Sequence, residues 1–196
     1  MDLAMKNNLK VILFYVALIA LILVAIIHVK VEPEEGITDI KPYQAYFGRY
    51  ILFFLIGQTQ TLITVLGDLF YVRIQCHNPF LFWLAGAVSS FVFTLFIYSL
   101  TVAFGNVGEA LAIVVMVIQV AGAGGTFPIE TLPQVYQSLY KYLPFPYGMN
   151  AMRETIGGIY QMNYWIYVGK LAIYLVVSLV IGLLIAIPFR KLNHVI

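Results

Sequence analysis

No soluble fold hides a run such as Val11–Val29, VILFYVALIALILVAIIHV, which contains neither a charge nor a proline. A helix needs about 20 mostly apolar residues to cross the hydrocarbon core, and in lipid only helices and closed barrels satisfy every backbone polar group. The run is too long for the apolar part of a removable signal and lacks a small-residue cleavage site, so it is expected to persist as a span. Further stretches follow the same pattern at Tyr50–Val72, Pro79–Phe104, about Val107–Ala123 and Trp165–Phe189. Composition agrees: 62% of residues are hydrophobic and 10% charged, against roughly 25% charged in soluble domains. The expected fold is all-α, a polytopic membrane helical bundle of about five transmembrane helices forming a single membrane domain over residues 1–196.

The connections differ in kind. Lys30–Arg49 is polar and leans acidic, with Glu32, Glu34, Glu35 and Asp39, and Pro33 and Pro42 interrupt it. Val72–Asn78 and Gly105–Asn106 are short, which predicts that the second, third and fourth spans are antiparallel neighbours. The long connection, 124–164, opens on AGAGGTFPIETLP, where Gly122, Gly124 and Gly125 precede Pro128 and Pro133. Glycine permits unusual backbone angles and proline stops a helix, so the fourth span is expected to end early here. Irregular backbone at that depth is tolerated only inside protein or along a cavity.

Within this connection, Leu132, Val135, Tyr136, Leu139, Tyr140 and Leu143 recur at the spacing of an amphipathic helix. Thr131 suits its N-cap, Pro133 its first turn and Pro144 its end. A second short helix is predicted over about Tyr147–Tyr160, carrying Arg153 beside Glu154. The two make a short external or re-entrant helical hairpin before the last span. The many tyrosines suit a membrane–water boundary.

The second span is unusually polar. At 100° per residue, Gly57, Gln58, Thr61, Thr64 and Asp68 share about a third of the helix circumference. Polar groups in hydrocarbon must find partners, so this face is expected to turn inward, toward a translocation pathway or toward hydrogen bonds with a neighbouring helix. Asn106 and Glu109 have capping-box spacing at the start of the fourth span. Ser178, Gly182 and Ala186 recur every four residues on the last span, a spacing that lets helices approach closely, as in a dimer interface.

Several classes fall away. The GAGG run is followed by Thr-Phe-Pro and is no phosphate loop. His28, His77 and His194 have no metal-ligand spacing, the single Cys76 builds neither a disulfide framework nor a multi-cysteine site, and no nucleophile sits in a catalytic context. Eleven basic and nine acidic residues, a net charge of +2, form no block that suits nucleic acid. The sequence predicts no enzyme, no cofactor and no metal.

From Tyr46 to Asn193 the chain resembles the C-terminal membrane domain of the YhgE/Pip (phage infection protein) family, part of the ABC type-2 transporter membrane-domain superfamily. The residues that carry the resemblance are GNVGEALAIVVMVIQVAGAGGTFPIETLPQVYQSLYKYLPFPYGMNAMRETIGG and the NYW at Asn163–Trp165. The resemblance fits a minimal member or the C-terminal piece of a longer protein. It implies a multi-pass protein of the bacterial cytoplasmic membrane, with Arg190–Lys191 inside and the 124–164 segment outside. Basic residues divide evenly between the two sides, so the positive-inside rule does not decide the orientation.

The function implied is a permease-like subunit for export or for a cell-envelope secretion apparatus. It would be embedded in lipid as a homodimer or hetero-oligomer and served by a separate ATPase docked on Lys30–Arg49. In that reading Gln58, Thr61, Thr64 and Asp68 line the pathway. Gly122, Gly124, Gly125, Pro128, Pro133, Pro144, Arg153 and Glu154 belong to an outer gate. The alternative is a non-transporting membrane scaffold or phage-receptor-type surface protein.

Overall fold

A computed structural model describes residues 42–122, 129–131 and 133–185. The first span, Val11–Val29, most of the Lys30–Arg49 loop, and Gly124, Gly125, Pro128 and Ala186 lie outside the described residues. Helix α1 (Pro42–Leu66) runs into a π-helical turn (Gly67–Tyr71), and α2 (Pro79–Phe104) follows. Next come α3 (Asn106–Gly122), a 3-10 turn (Ile129–Thr131), α4 (Gln134–Tyr140) and α5 (Pro144–Gly157). Helix α6 (Asn163–Val180) continues into a second π turn (Ile181–Ile185). The protein is an all-helical membrane bundle.

Among the described residues, three helical stretches are long and apolar enough to cross a membrane: Tyr46–Phe70, Pro79–Phe104 and Asn163–Leu183. The helix that carries the second span begins at Pro42, eight residues before the predicted Tyr50, because helical hydrogen bonding continues past the apolar stretch into Arg49 and its neighbours. The fourth stretch is helical where predicted, but its apolar part, Val107–Gln119, is shorter than a full span.

Helix α2 sits at the centre, against α1, α3, α5 and α6. It is apolar nearly all round, as a helix enclosed by others must be, and Ala85, Val92, Leu95 and Tyr98 are almost wholly buried along it. Its start is set by Asn78 as N-cap and Pro79 in the first turn, where a missing N–H costs nothing. Its end is Gly105, at φ 57°, a left-handed conformation that suits glycine. The turn into α3 is correspondingly abrupt. Gly105 N–H donates to Thr101 O (2.8 Å) and Glu109 N–H donates to Gly105 O (3.0 Å). Helix α3 thus already includes Asn106, one residue earlier than the capping-box reading requires.

Aromatic side chains fasten α1 to α2. Tyr46 shares a 2.7 Å hydroxyl–hydroxyl bond with Ser99, Tyr98 Oη donates to Tyr46 O (2.8 Å) and Tyr50 Oη to Phe91 O (3.2 Å). Gly182 lies against the Tyr46 ring and Ser99, and Ser178 is fully buried. Two members of the small-residue series on the last span therefore serve close packing within the chain rather than contact with a second copy.

Candidate functional site

The first amphipathic helix departs from its predicted form. Helix α4 covers only Gln134–Tyr140, with Pro133 rather than Thr131 at its N-cap and no buried residue. In a membrane protein an apolar stripe need not face protein, since lipid accepts it equally well. Pro144 does not end this helix; it opens the next one, with Leu143 before it in an extended conformation (φ −99°, ψ 137°), the one a following proline favours. Helix α5 therefore starts three residues before the predicted Tyr147. It ends three before Tyr160, at Gly157, because Gly158 (φ 96°) turns the chain.

Helix α5 lies antiparallel along α2, in register from end to end. Phe145 meets Phe93, with ring centroids 5.4 Å apart. A Cβ on Gly148 would stand 2.5 Å from Ser89 Oγ, and one on Gly86 would stand 3.7 Å from Met152 Cε. At the far end the Thr155 carbonyl accepts His77 N–H (3.1 Å), Asn78 N–H (3.4 Å) and Cys76 Sγ–H (3.2 Å). The loop that begins α2 thus caps the C-terminal end of α5.

At 1.5 Å per residue, Phe93 lies about 21 Å from the start of α2, near its middle. Helix α5 is thus a half-length helix whose N-terminus begins inside the bundle, where Pro144, Phe145 and Pro146 are all buried. The local sequence suits that placement. The first four N–H groups of a helix lack intrahelical partners, and two of these four residues are prolines with no N–H to strand.

Helix α3 rises to the same level from the opposite end. Gln119, 4% exposed, meets a small void lined by Phe93, Ile97, Ala112, Met116 and Phe145, and its Oε1 has no hydrogen-bond partner. Together α3 and α5 cover the length of α2 as two half-helices, and Gln119 marks the break between them.

One tyrosine bond pins the hairpin to α6 and two close the hairpin on itself. Tyr174 Oη donates to Tyr142 O (2.8 Å), Asn150 Nδ2 donates to Tyr140 Oη (2.9 Å) and Tyr147 Oη donates to Lys141 O (2.5 Å). Tyr164 Oη reaches Leu81 O (2.9 Å) and ties α6 to α2. These ties were not legible in the sequence, where abundant tyrosine signalled only a boundary.

The remaining sequence candidates scatter around this unit. Gln58 Nε2 donates to Ala87 O (3.1 Å) across the α1–α2 seam. The Thr61 methyl packs toward Gly86 while its hydroxyl donates to Gly57 O (2.9 Å). Thr64 is half-buried and donates to Gln60 O (2.9 Å). Asp68 is 3% exposed, in the π turn that ends α1. These residues therefore follow one another along α1, with Gln58 and Thr61 spent on the contact with α2.

Gly122 is the last residue of α3, and Pro133 is exposed. Arg153 is exposed and donates to Asn150 Oδ1 (3.4 Å). Glu154 turns the other way, and its Oε2 accepts Tyr160 N–H (3.0 Å). The adjacent pair Arg153–Glu154 diverges, as neighbours on a helix do.

Over 114 residues, 58% of this chain, the sequence is 30% identical to an uncharacterized protein, YhgE, of Bacillus subtilis (strain 168). The match spans only 15% of that protein's length. No solved structure matches the chain. Residues 9–187 match the family described as ABC-2 family transporter protein, a family of transporters rather than of catalytic enzymes, and the chain belongs to it.

Proposed function

We propose that this chain is the permease part of an export or envelope-secretion machine of the bacterial cytoplasmic membrane, and that the α4–α5 hairpin is its outer gate. The observation that carries the reading is the half-length α5, whose proline-rich N-terminus ends beside α3 in the middle of the bundle. Discontinuous helices of this kind line transport pathways in other membrane proteins, where backbone irregularity at depth is useful. Gly122, Gly124, Gly125 and Pro128 belong to the gate in this reading, with Pro133 at the start of α4. Pro144, Arg153 and Glu154 belong to the half-helix itself. The Thr64–Asp68 end of α1 faces the pathway, and Gln58 and Thr61 hold that helix to α2.

The energy source is a separate ATPase seated on the Lys30–Arg49 segment, and the working unit is a homodimer or hetero-oligomer. Purification from the native membrane in mild detergent tests this. A stoichiometric ATPase, whose turnover changes on Asp68→Asn with the complex intact, is the expected result. Absence of any ATPase from a complex that remains assembled overturns it. One observation favours the second reading, a membrane scaffold: the Gln58 amide is committed to Ala87 O, as an inter-helix fastening would be. Normal assembly of an envelope complex around a chain that moves no substrate would select that reading.

A further inference from the structure

One buried polar atom at the break between the two half-helices has nothing to bond with. Gln119 is 4% exposed and its Oε1 lacks a hydrogen-bond partner. Burying a polar group unpaired is costly, and native structures seldom leave one so. A trapped water does not resolve it. The void that Gln119 meets has a volume of about 10 Å³, room for at most one water, and a buried water makes about three hydrogen bonds. Every other side chain around the void is apolar.

The walls of the void differ in how they are held. All but one come from α2, such as Phe93 and Ile97, or from α3, such as Ala112 and Met116. Those two helices are joined by the Gly105 turn and approach so closely that a Cβ on Gly108 would run into Leu100 O. The last wall is Phe145, the second residue of the half-helix α5. Its burial, to 3% exposure, and its ring contact with Phe93 at 5.4 Å keep it in place. Pro144 and Pro146 on either side have no N–H, so the first turn of α5 has two fewer backbone donors with which to bond its neighbours.

We infer that Gln119 is a release spring for α5: its unpartnered oxygen raises the energy of the closed bundle and favours withdrawal of Phe145, which admits water to Oε1. An unpaired buried acceptor of this kind shifts the opening equilibrium by about 5–150-fold. The buried Phe145 ring and its contact with Phe93 act against it and hold the bundle closed at rest. The role of the spring in transport rests on the reading of the hairpin as a gate, whereas the opening itself is a property of α5 that is measured without any transport.

Hydrogen exchange of the full chain in mixed micelles tests the inference, in the regime where exchange reports the opening equilibrium. The amides of Tyr147, Gly148 and Met149 are the first in α5 with intrahelical partners. They are expected to exchange through an opening smaller than global unfolding. Gln119→Leu should slow them by about 5–150-fold, and Gln119→Met, which keeps the side-chain length without the oxygen, should do the same. Unchanged or faster exchange overturns the inference, since Oε1 then gains nothing when α5 moves. Slowing in the leucine variant alone overturns it too, as an effect of packing, and so does exchange that occurs only on global unfolding. ATPase turnover of the native complex is read separately. Turnover indifferent to both variants, with exchange slowed, keeps the spring and removes the gate.

Discussion

The contact between Gly148 and Ser89 allows a quantitative test of how α5 is seated. A methyl group on residue 148 would sit 2.5 Å from Ser89 Oγ and 3.3 Å from Ser89 Cβ, with Leu171 Cδ1 at 4.0 Å behind it. Overpacking of this sort costs about 1–3 kcal/mol, while exchanging glycine for alanine inside a helix returns up to about 1 kcal/mol of propensity. Gly148→Ala alone should therefore destabilise by about 1 kcal/mol. Ser89→Ala removes a hydroxyl that donates to Ala85 O at 2.7 Å, a loss of about 0.5–1.5 kcal/mol. In the double variant Oγ is absent and only the 3.3 Å contact remains, so most of the clash disappears. The pair should be more stable than the sum of the single effects by about 1–2 kcal/mol, within the range seen for residues in contact. Reversible unfolding in mixed micelles measures each corner of the cycle. Gly169→Ala, where a Cβ meets nothing within 4 Å, serves as the propensity control. Additivity within about 0.5 kcal/mol would refute the reasoning, because it would mean that α5 does not rest on Ser89.

Gly182→Ala should also destabilise, since its Cβ would run into the Tyr46 ring and Ser99; an unchanged unfolding midpoint would remove Gly182 from the α1–α2–α6 contact. Gln119→Leu is expected to stabilise the chain by about 1–3 kcal/mol in the same assay, because it takes away a buried acceptor left without a partner, and a loss of stability would mean that Oε1 is satisfied after all. Cys76 is half-buried with its thiol donating to Thr155 O. In intact cells an impermeant maleimide should therefore label it from outside, but far more slowly than it labels the thiol after denaturation. Labelling only in opened cells, with normal reactivity in detergent, would reverse the orientation.

Much of this architecture is legible in the residues alone. Lipid as solvent, the helical class and the long helix at Pro79–Phe104 follow from apolar length and from the need to close every backbone hydrogen bond. The existence of short helices before the last span follows from the proline and tyrosine spacing. What periodicity leaves open is which apolar faces meet protein, because lipid and protein interior are nearly equivalent surroundings for a leucine. That is why the amphipathic stripe on α4 does not by itself tell that none of the helix's residues is buried, and why the small-residue series on the last span suggests a partner chain when its Gly182 lies against Tyr46. The depth of α5, the meeting of Gln119 with Phe145 and the approach of Lys170 to the Tyr147 ring depend on hydrogen bonds and close approaches between residues distant in the chain. Only the packed bundle selects them, since each is stabilised by a partner that local sequence does not specify.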